Sequence, residues 1–457
     1  MAFYSSLTSS GLTATRTKWE THWAQALTED DFTWLLNTAH CNTIRLPIGY
    51  FTLGPSYCNG TPFAGDPARV YINAWAAVKN MVLRCWAHGI GVLLDFHACP
   101  GGANGEQHSG TSSGVAGLWG NTANLTLAQQ CLVFIASEVH TGMPGVIGIQ
   151  LCNEAIANAP GMYDWYNSVI SGIAGVDSAI PIYISDGWDF PTCISYVQTK
   201  NKLTSTAANP IIIDKHNYYT FSDADRAKSP QQIIAQIPTE LNELDGKDGN
   251  VFDRGASCVF IGEYADVLDT LTWNKVSTSD RPGLTNQFGQ VQSMRWQKRS
   301  GGCAYWTLKM DWMDGGDWGC KQQVNNGAIT APPSFLFTPQ NVRDKTSTAE
   351  GQKASLKNTA VTQHQKYWDQ NAPGVTFEHF LFGQGWDVGF SDAETFFTAR
   401  LTCLVPADGN GGDIIGMLDL WVLKRMREAG QAGQQFGWEW EQGMRRGVTD
   451  FYGAVGL

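Results

Sequence analysis

The sequence predicts an α/β protein built as a (β/α)8 TIM barrel whose first strand is missing or atypical, followed by a C-terminal helical extension. Three observations carry this expectation. Short apolar runs recur between residues 42 and 308, helix-like segments separate most of them, and polar or ionisable residues conclude them. Apolar strands spaced by helices imply a parallel sheet covered on both faces. A barrel enzyme places its reactive groups at the C-terminal ends of such strands.

The elements follow in order. Thr28 reads as an N-cap, with Glu29, Asp30 and Asp31 in the first turn of a helix through Ala39. Asn42 to Ile48 is a short strand, an amphipathic helix fills roughly 70–88, and Gly91 to His97 is an apolar strand. The same alternation recurs in strands at Val146 to Glu154, Pro181 to Gly187, Ile211 to Tyr218, Cys258 to Tyr264 and Gly302 to Leu308. Helices are expected near 125–140, 161–173, 229–245 and 284–299. These are seven strands where a closed barrel needs eight. The gap lies at the front, since residues 1–27 contain no recognisable apolar strand. The barrel is expected to occupy 1–340 and the helical extension 341–457.

Within the extension, Gln384-Gly385-Trp386-Asp387-Val388-Gly389-Phe390-Ser391-Asp392 matches Gln442-Gly443-Met444-Arg445-Arg446-Gly447-Val448-Thr449-Asp450 as Q-G-x-x-x-G-x-x-D. Aromatics precede each copy at alternate positions, Phe380 and Phe382 in one, Trp438 and Trp440 in the other. Glycines four apart share one helical face and permit close backbone packing, so two similar helices docked onto the barrel are expected.

Composition bounds the function. The hydrophobic fraction of 43% and aromatic fraction of 12% exclude a disordered chain. Charged residues reach only 16%, against roughly 25% in an average globular protein. A formal charge of −11 offers no basic field for nucleic acid or an anionic membrane surface, so neither is expected as a partner. A neutral substrate fits. No apolar run reaches membrane-span length, and no signal peptide is visible. The cysteines number 11 and include no Cys-x-x-Cys pair, which disfavours zinc ribbons and thioredoxin chemistry. Most lie in apolar segments and read as buried free thiols. Neither metal nor cofactor is expected.

The chemistry sits where the strands end: Arg45, His97, Asn153 with Glu154, Asp186, His216 with Tyr218, Glu263, and Trp306. Polar groups closing apolar strands are costly unless they bond one another or act on a ligand. Glu154 and Glu263 stand out, because paired carboxylates across a cleft are the minimum apparatus for glycoside hydrolysis. One must be protonated to donate to the leaving oxygen and the other ionised to attack the anomeric carbon, so their environments must differ. Arg45 and Tyr218 suit the ionised member, and Asn153 suits a sugar 2-hydroxyl. Tryptophans from Trp306 to Trp318 could stack sugar rings, although core packing is the commoner role for any one of them.

These segments resemble glycoside hydrolase family 5, and within it the fungal exo-β-1,3-glucanase-like branch. The matching residues are Thr28 to Phe32, Ile44 to Tyr50, Asp95-Phe96-His97-Ala98-Cys99-Pro100-Gly101, Asn104-Gly105, Ser109-Gly110, Asn153-Glu154, Asp214 to Tyr218, Gly262-Glu263-Tyr264 and Tyr305 to Lys309. The resemblance implies a retaining enzyme in which Glu154 is the acid/base and Glu263 the nucleophile. Arg45, His97, Asn153, His216, Tyr218 and Trp306 would line the −1 subsite, and Phe221 would form part of a +1 clamp. The substrate would be an oligosaccharide, polysaccharide or glycoside, the protein a monomer, and its location extracellular. The absence of a visible signal peptide leaves a cytoplasmic location open. Three departures bear on specificity: the Asn-Leu-Gly-Gly-Trp first strand of the family is missing, Glu106 replaces a clamp aromatic, and Ala155 stands where Pro commonly follows the acid/base. Glucan 1,3-β-glucosidase activity is the leading expectation. A β-1,6-glucanase, a rutinosidase-like diglycosidase and a silent carbohydrate-binding barrel are the alternatives.

Overall fold

The computed structural model describes residues 2–205, 209–310, 315–402 and 410–457. The chain forms two compact units, Met1–Cys193 with Ala207–His216, and Ile194–Thr206 with Asn217–Leu457. Its strands are β1 (Thr43–Gly49), β2 (Gly91–Ala98), β3 (Val146–Gln150), β4 (Ile182–Ser185), β5 (Ile211–Tyr219), β6 (Val259–Leu268) and β7 (Cys303–Tyr305). They follow one another in a single sheet in chain order. Each of the seven expected strands is present, within a few residues of its expected place.

In the first unit, β1 to β4 and the start of β5 pair successively in parallel. Its longer helices are α1 (Ala2–Gln25), α2 (Glu29–Asn37), α3 (Ala74–Ala87), α4 (Thr122–Gly142) and α5 (Met162–Ala174). α6 (Phe190–Lys200) begins in this unit and runs into the second. The cap expected at Thr28 forms: its hydroxyl accepts the Asp31 N–H at 3.2 Å, and Asp31 Oδ2 accepts the Thr28 N–H at 2.9 Å. Core burial explains the strand sequences. In β2 every residue from Val92 to Ala98 is buried, Asp95 and His97 included.

The N-terminal residues hold helix, not an unconventional strand. α1 is bent at Gly11, whose φ of +75° suits glycine. Trp19 and Trp23, four apart on one helical face, both meet Tyr71: the Trp19 indole donates to its hydroxyl at 3.1 Å, and the Trp23 ring lies 5.2 Å away. No strand precedes β1 among the described residues.

In the second unit, β6 and β7 pair in parallel. α7 (Pro230–Gln236) and α8 (Arg281–Arg299) precede the extension, which consists of α9 (Pro339–Asn371), α10 (Phe380–Phe397), α11 (Leu418–Glu428) and α12 (Gly437–Val455). The glycine repeat pairs α10 with α12, so the two helices dock on each other. A Cβ built at Gly385 would fall 2.0 Å from the Trp440 carbonyl oxygen, and one at Gly443 2.0 Å from that of Phe382. At Gly389 the obstacle is the Met444 carbonyl at 2.0 Å, and at Gly447 that of Trp386 at 2.2 Å. Any side chain at these positions would force the backbones apart. α12 also holds the loop before β6, since Glu441 accepts the Val251 and Phe252 N–H groups at 2.8 and 2.7 Å.

Cys41, Cys58, Cys85, Cys99, Cys131, Cys152, Cys193 and Cys258 are free thiols, and Cys403 lies outside the described residues. Burial pushes the Cys85 and Cys152 thiols up to about 12, which keeps them protonated and unreactive. No helix among the described residues is long and apolar enough to cross a membrane.

Candidate active site

In the first unit a continuous polar network crosses the ends of β1, β2, β3 and β5. Asp95 is fully buried on β2. Its Oδ2 accepts from Arg45 Nη2 at 3.0 Å and from His97 Nδ1 at 2.7 Å. The Arg45 guanidinium, from β1, also donates to Gln150 Oε1 at 2.9 Å and Asn153 Oδ1 at 2.7 Å. Gln150 passes the chain on by donating to Asp214 Oδ2 at 2.6 Å. Asp214 faces His216 Nε2 at 3.1 Å, and His216 Nδ1 faces Glu154 Oε1 at 2.9 Å. These buried charges are tolerable because each is paired or hydrogen-bonded.

The proton positions follow from these partners. A carboxylate only accepts, so Asp214 fixes a hydrogen on His216 Nε2. If His216 is neutral, its Nδ1 is then a bare acceptor and Glu154 must donate. If His216 is charged, Glu154 is the acceptor. One hydrogen therefore lies between Glu154 Oε1 and His216 Nδ1. On the other side, Asp95 fixes a hydrogen on His97 Nδ1. His97 Nε2 faces the Asn153 amide at 3.3 Å and His108 Nδ1 at 3.0 Å. This turns His108 Nε2 toward Glu154 Oε2, 3.7 Å away. Glu154 thus lies between two histidines.

Its backbone is strained as well. Glu154 has φ of +43°, a conformation that costs a non-glycine residue on the order of 1 kcal/mol or more and persists only where its surroundings hold it. Asn104 Nδ2 donates to the Glu154 carbonyl at 3.1 Å, and the following N–H, on Ala155, donates to Ser185 Oγ at 3.2 Å. At the end of β4, burial raises the Asp186 carboxyl above its ordinary range despite Lys215 Nζ at 3.8 Å.

In the second unit, Glu263 lies in the middle of β6 and is nearly buried. Tyr218, from the end of β5, donates its phenolic hydrogen to Glu263 Oε2 at 2.8 Å. The Tyr218 ring lies 5.4 Å from Phe221 and 6.0 Å from Trp318, which are 6.3 Å from each other. Phe221 is 61% exposed and so offers a free aromatic face. Trp306 follows β7, its N–H donates to the Tyr264 carbonyl at 2.8 Å, and the Trp306–Thr307 peptide is cis.

The structure joins Arg45, His97, Asn153, Glu154 and His216 in one network, and separately joins Tyr218, Glu263 and Phe221. Sequence reasoning gives no role to His108, and it reads Asp95 and Asp214, the aspartates beside the two histidines, only as members of the matching segments. The aspartates had a signal, each lying two residues before its histidine and so on the same face of a strand. His108 lies on a loop with no such spacing.

Residues 7–311, more than half of the chain, match the model of the family described as cellulase (glycosyl hydrolase family 5). The chain belongs to glycosyl hydrolase family 5. This family 5 chain is therefore a glycoside hydrolase acting on a carbohydrate. Residues 349–455 match a second model, described as the glucan 1,3-beta-glucosidase 3 C-terminal domain. The glucan 1,3-beta-glucosidase 3 of Schizosaccharomyces pombe is 29% identical over 437 residues, covering 95% of this chain and 85% of its own length. An uncharacterized glycosyl hydrolase of Saccharomyces cerevisiae is 29% identical over 440 residues, covering 94% of this chain and 79% of its own. Among solved structures, AoRut is similar with a TM-score of 0.51 at 19% identity, covering 69% of this chain and 85% of that one, a likeness of fold.

Proposed function

We propose that this family 5 enzyme is a retaining exo-acting β-glucosidase of β-1,3-glucans. Glu154 protonates the glycosidic oxygen while Glu263 attacks the anomeric carbon, giving a covalent glucosyl-enzyme. Glu154 then removes a proton from water, which releases glucose with its β configuration retained. The observation that carries this reading is the 2.9 Å contact between His216 Nδ1 and Glu154 Oε1, with Asp214 behind the histidine ring. It equips Glu154 to donate and then recover one proton. Tyr218 holds Glu263 as the ionised partner. Arg45 locks Asn153 through its oxygen, leaving an amide hydrogen for a sugar hydroxyl, and Phe221 with Trp318 offers faces for the leaving sugar.

The β-1,3 linkage is supported by the name of the Schizosaccharomyces pombe relative, with which this chain aligns along nearly its whole length. The matched ranges 7–311 and 349–455 support reading 1–340 as the catalytic barrel and 341–457 as a helical extension. The test is hydrolysis of laminarin, pustulan, cellobiose and aryl β-glucosides, with the first-formed anomer followed by NMR. Glucose released from laminarin as the β anomer is expected. Cleavage of pustulan with laminarin untouched would overturn the linkage, and release of the α anomer would overturn the mechanism.

A further inference from the structure

In the helical extension three side chains from separate segments converge on one point: His364 from α9, His379 immediately before α10, and Glu439 from the first turn of α12. Their ligating atoms lie within 4.8 Å of one another. His364 Nε2 is 2.8 Å and His379 Nδ1 2.7 Å from the same carboxylate oxygen, Glu439 Oε2. Glu439 is fully buried and His364 is 8% exposed. The other carboxylate oxygen, Oε1, is engaged by the Glu378 N–H at 2.9 Å, which fixes the carboxylate plane. Behind His379, its Nε2 faces Asp369 Oδ1 at 3.2 Å.

We propose that His364, His379 and Glu439 form a zinc site that staples α9, α10 and α12 together. Two imidazoles and a carboxylate are a recognised donor set for this ion, with a fourth position left for water. The cluster sits in a mostly aromatic wall, and the support behind it has the form such sites have: His379 Nε2 faces Asp369 Oδ1, and a ligating histidine usually donates its other ring N–H to a carboxylate.

The wall suits an ion that must keep its ligands oriented. The Phe382 ring stacks on His364 with centroids 4.1 Å apart, and Phe377 stacks on His379 at 5.3 Å. Around a tetrahedral ion with bonds of about 2.1 Å, ligand atoms sit about 3.4 Å apart. From 2.8 and 2.7 Å, the ring nitrogens need retract by about 0.6–0.7 Å to admit it. Because the three ligands are separated by 15 and 60 positions (364, 379, 439), their spacing carries no metal signature in the sequence.

The test uses the full chain, purified, stripped with a chelator and dialysed against zinc chloride. One zinc per chain by elemental analysis is expected, with a thermal midpoint that rises on loading and falls again with EDTA. His379→Ala should lose that equivalent, whereas Glu154→Gln with Glu263→Gln should keep it, which separates this site from the catalytic carboxylates. Should His379→Ala fold poorly, Asp369→Asn changes only an exposed support, and its zinc affinity should fall 10–100-fold with the fold intact. A wild-type chain that takes up no zinc, an equivalent that survives His379→Ala, or unchanged affinity in Asp369→Asn would overturn the proposal.

Discussion

Replacing Tyr218 by Phe removes one atom and, with it, one hydrogen bond to the proposed nucleophile. The bond is 2.8 Å long and ends on a carboxylate oxygen, a class that contributes about 1.5–3 kcal/mol. Since about 1.4 kcal/mol is tenfold in rate, the loss is roughly 10- to 150-fold in the step that needs the bond most. That step is deglycosylation. In the glucosyl-enzyme Glu263 is a neutral ester, and it regains negative charge as the bond to sugar breaks, so the hydrogen bond strengthens on the way to the transition state. In glycosylation the charge leaves Glu263, and the bond weakens. The variant should therefore accumulate the covalent intermediate. With dinitrophenyl β-glucoside, kcat and KM should fall together, kcat/KM should change little, and a burst of one phenolate per enzyme should precede the slow steady state. The ring's contacts with Phe221 and Trp318 survive, so the fold should not change. Equal losses in kcat and kcat/KM, with no burst, would refute this account of Tyr218 and Glu263.

Other outcomes follow from the same structure. Glu154→Ala should lose about 10²–10⁴-fold on glucosides with poor leaving groups, and on dinitrophenyl β-glucoside, whose departure needs no acid, added azide should speed turnover and give β-glucosyl azide; an α product would rule out double displacement. His108→Ala should cost up to about tenfold on poor leaving groups, the worth of one hydrogen bond, and nothing on dinitrophenyl glucoside; equal losses on both would assign His108 to substrate binding. Asp266 is buried, Gln292 donates to it at 2.9 Å, and burial, with Asp317 nearby, raises its carboxyl well above the usual range. Its raised folded value makes its contribution full below the unfolded pKa and lost as pH rises through the folded one, so Asp266→Asn should unfold at higher temperature than wild type near neutral pH and gain nothing at pH 3. Gly443→Ala places a methyl against the Phe382 carbonyl and should cost about 1–3 kcal/mol in denaturant unfolding; an unchanged midpoint would mean the helices are not in backbone contact.

The strands were legible because buried parallel strands read as apolar runs, and most of the site because ionisable residues end those runs. α6 was legible in principle: Phe190, Cys193, Ile194 and Val197 are buried at helical spacing, but no strand-ending motif draws attention to them. α9 was hidden for a different reason. Its buried residues are Val342, Ala349, Ala360 and His364, mostly small, so the helix shows no hydrophobic stripe and reads as a polar stretch. The N-terminal helix was hidden too, since serines and threonines dilute its few aromatics. His108 is a product of tertiary placement alone, because only the folded loop brings it between His97 and Glu154.

The glycine-lined contact obeys a simple operation: adding 58 to each residue of α10 gives its counterpart in α12 (385 to 443, 389 to 447, 382 to 440, 386 to 444). Gly385 meets the carbonyl of Trp440 as Gly443 meets that of Phe382, and the second glycine pair repeats the exchange. This is the contact of an isologous dimer, written twice within one polypeptide. Each self-complementary face finds its mate on the same chain and so is withheld from other molecules. A chain cut between α10 and α12 would expose one such face on each fragment, and two identical fragments could then close the same contact between molecules that the intact protein closes within itself.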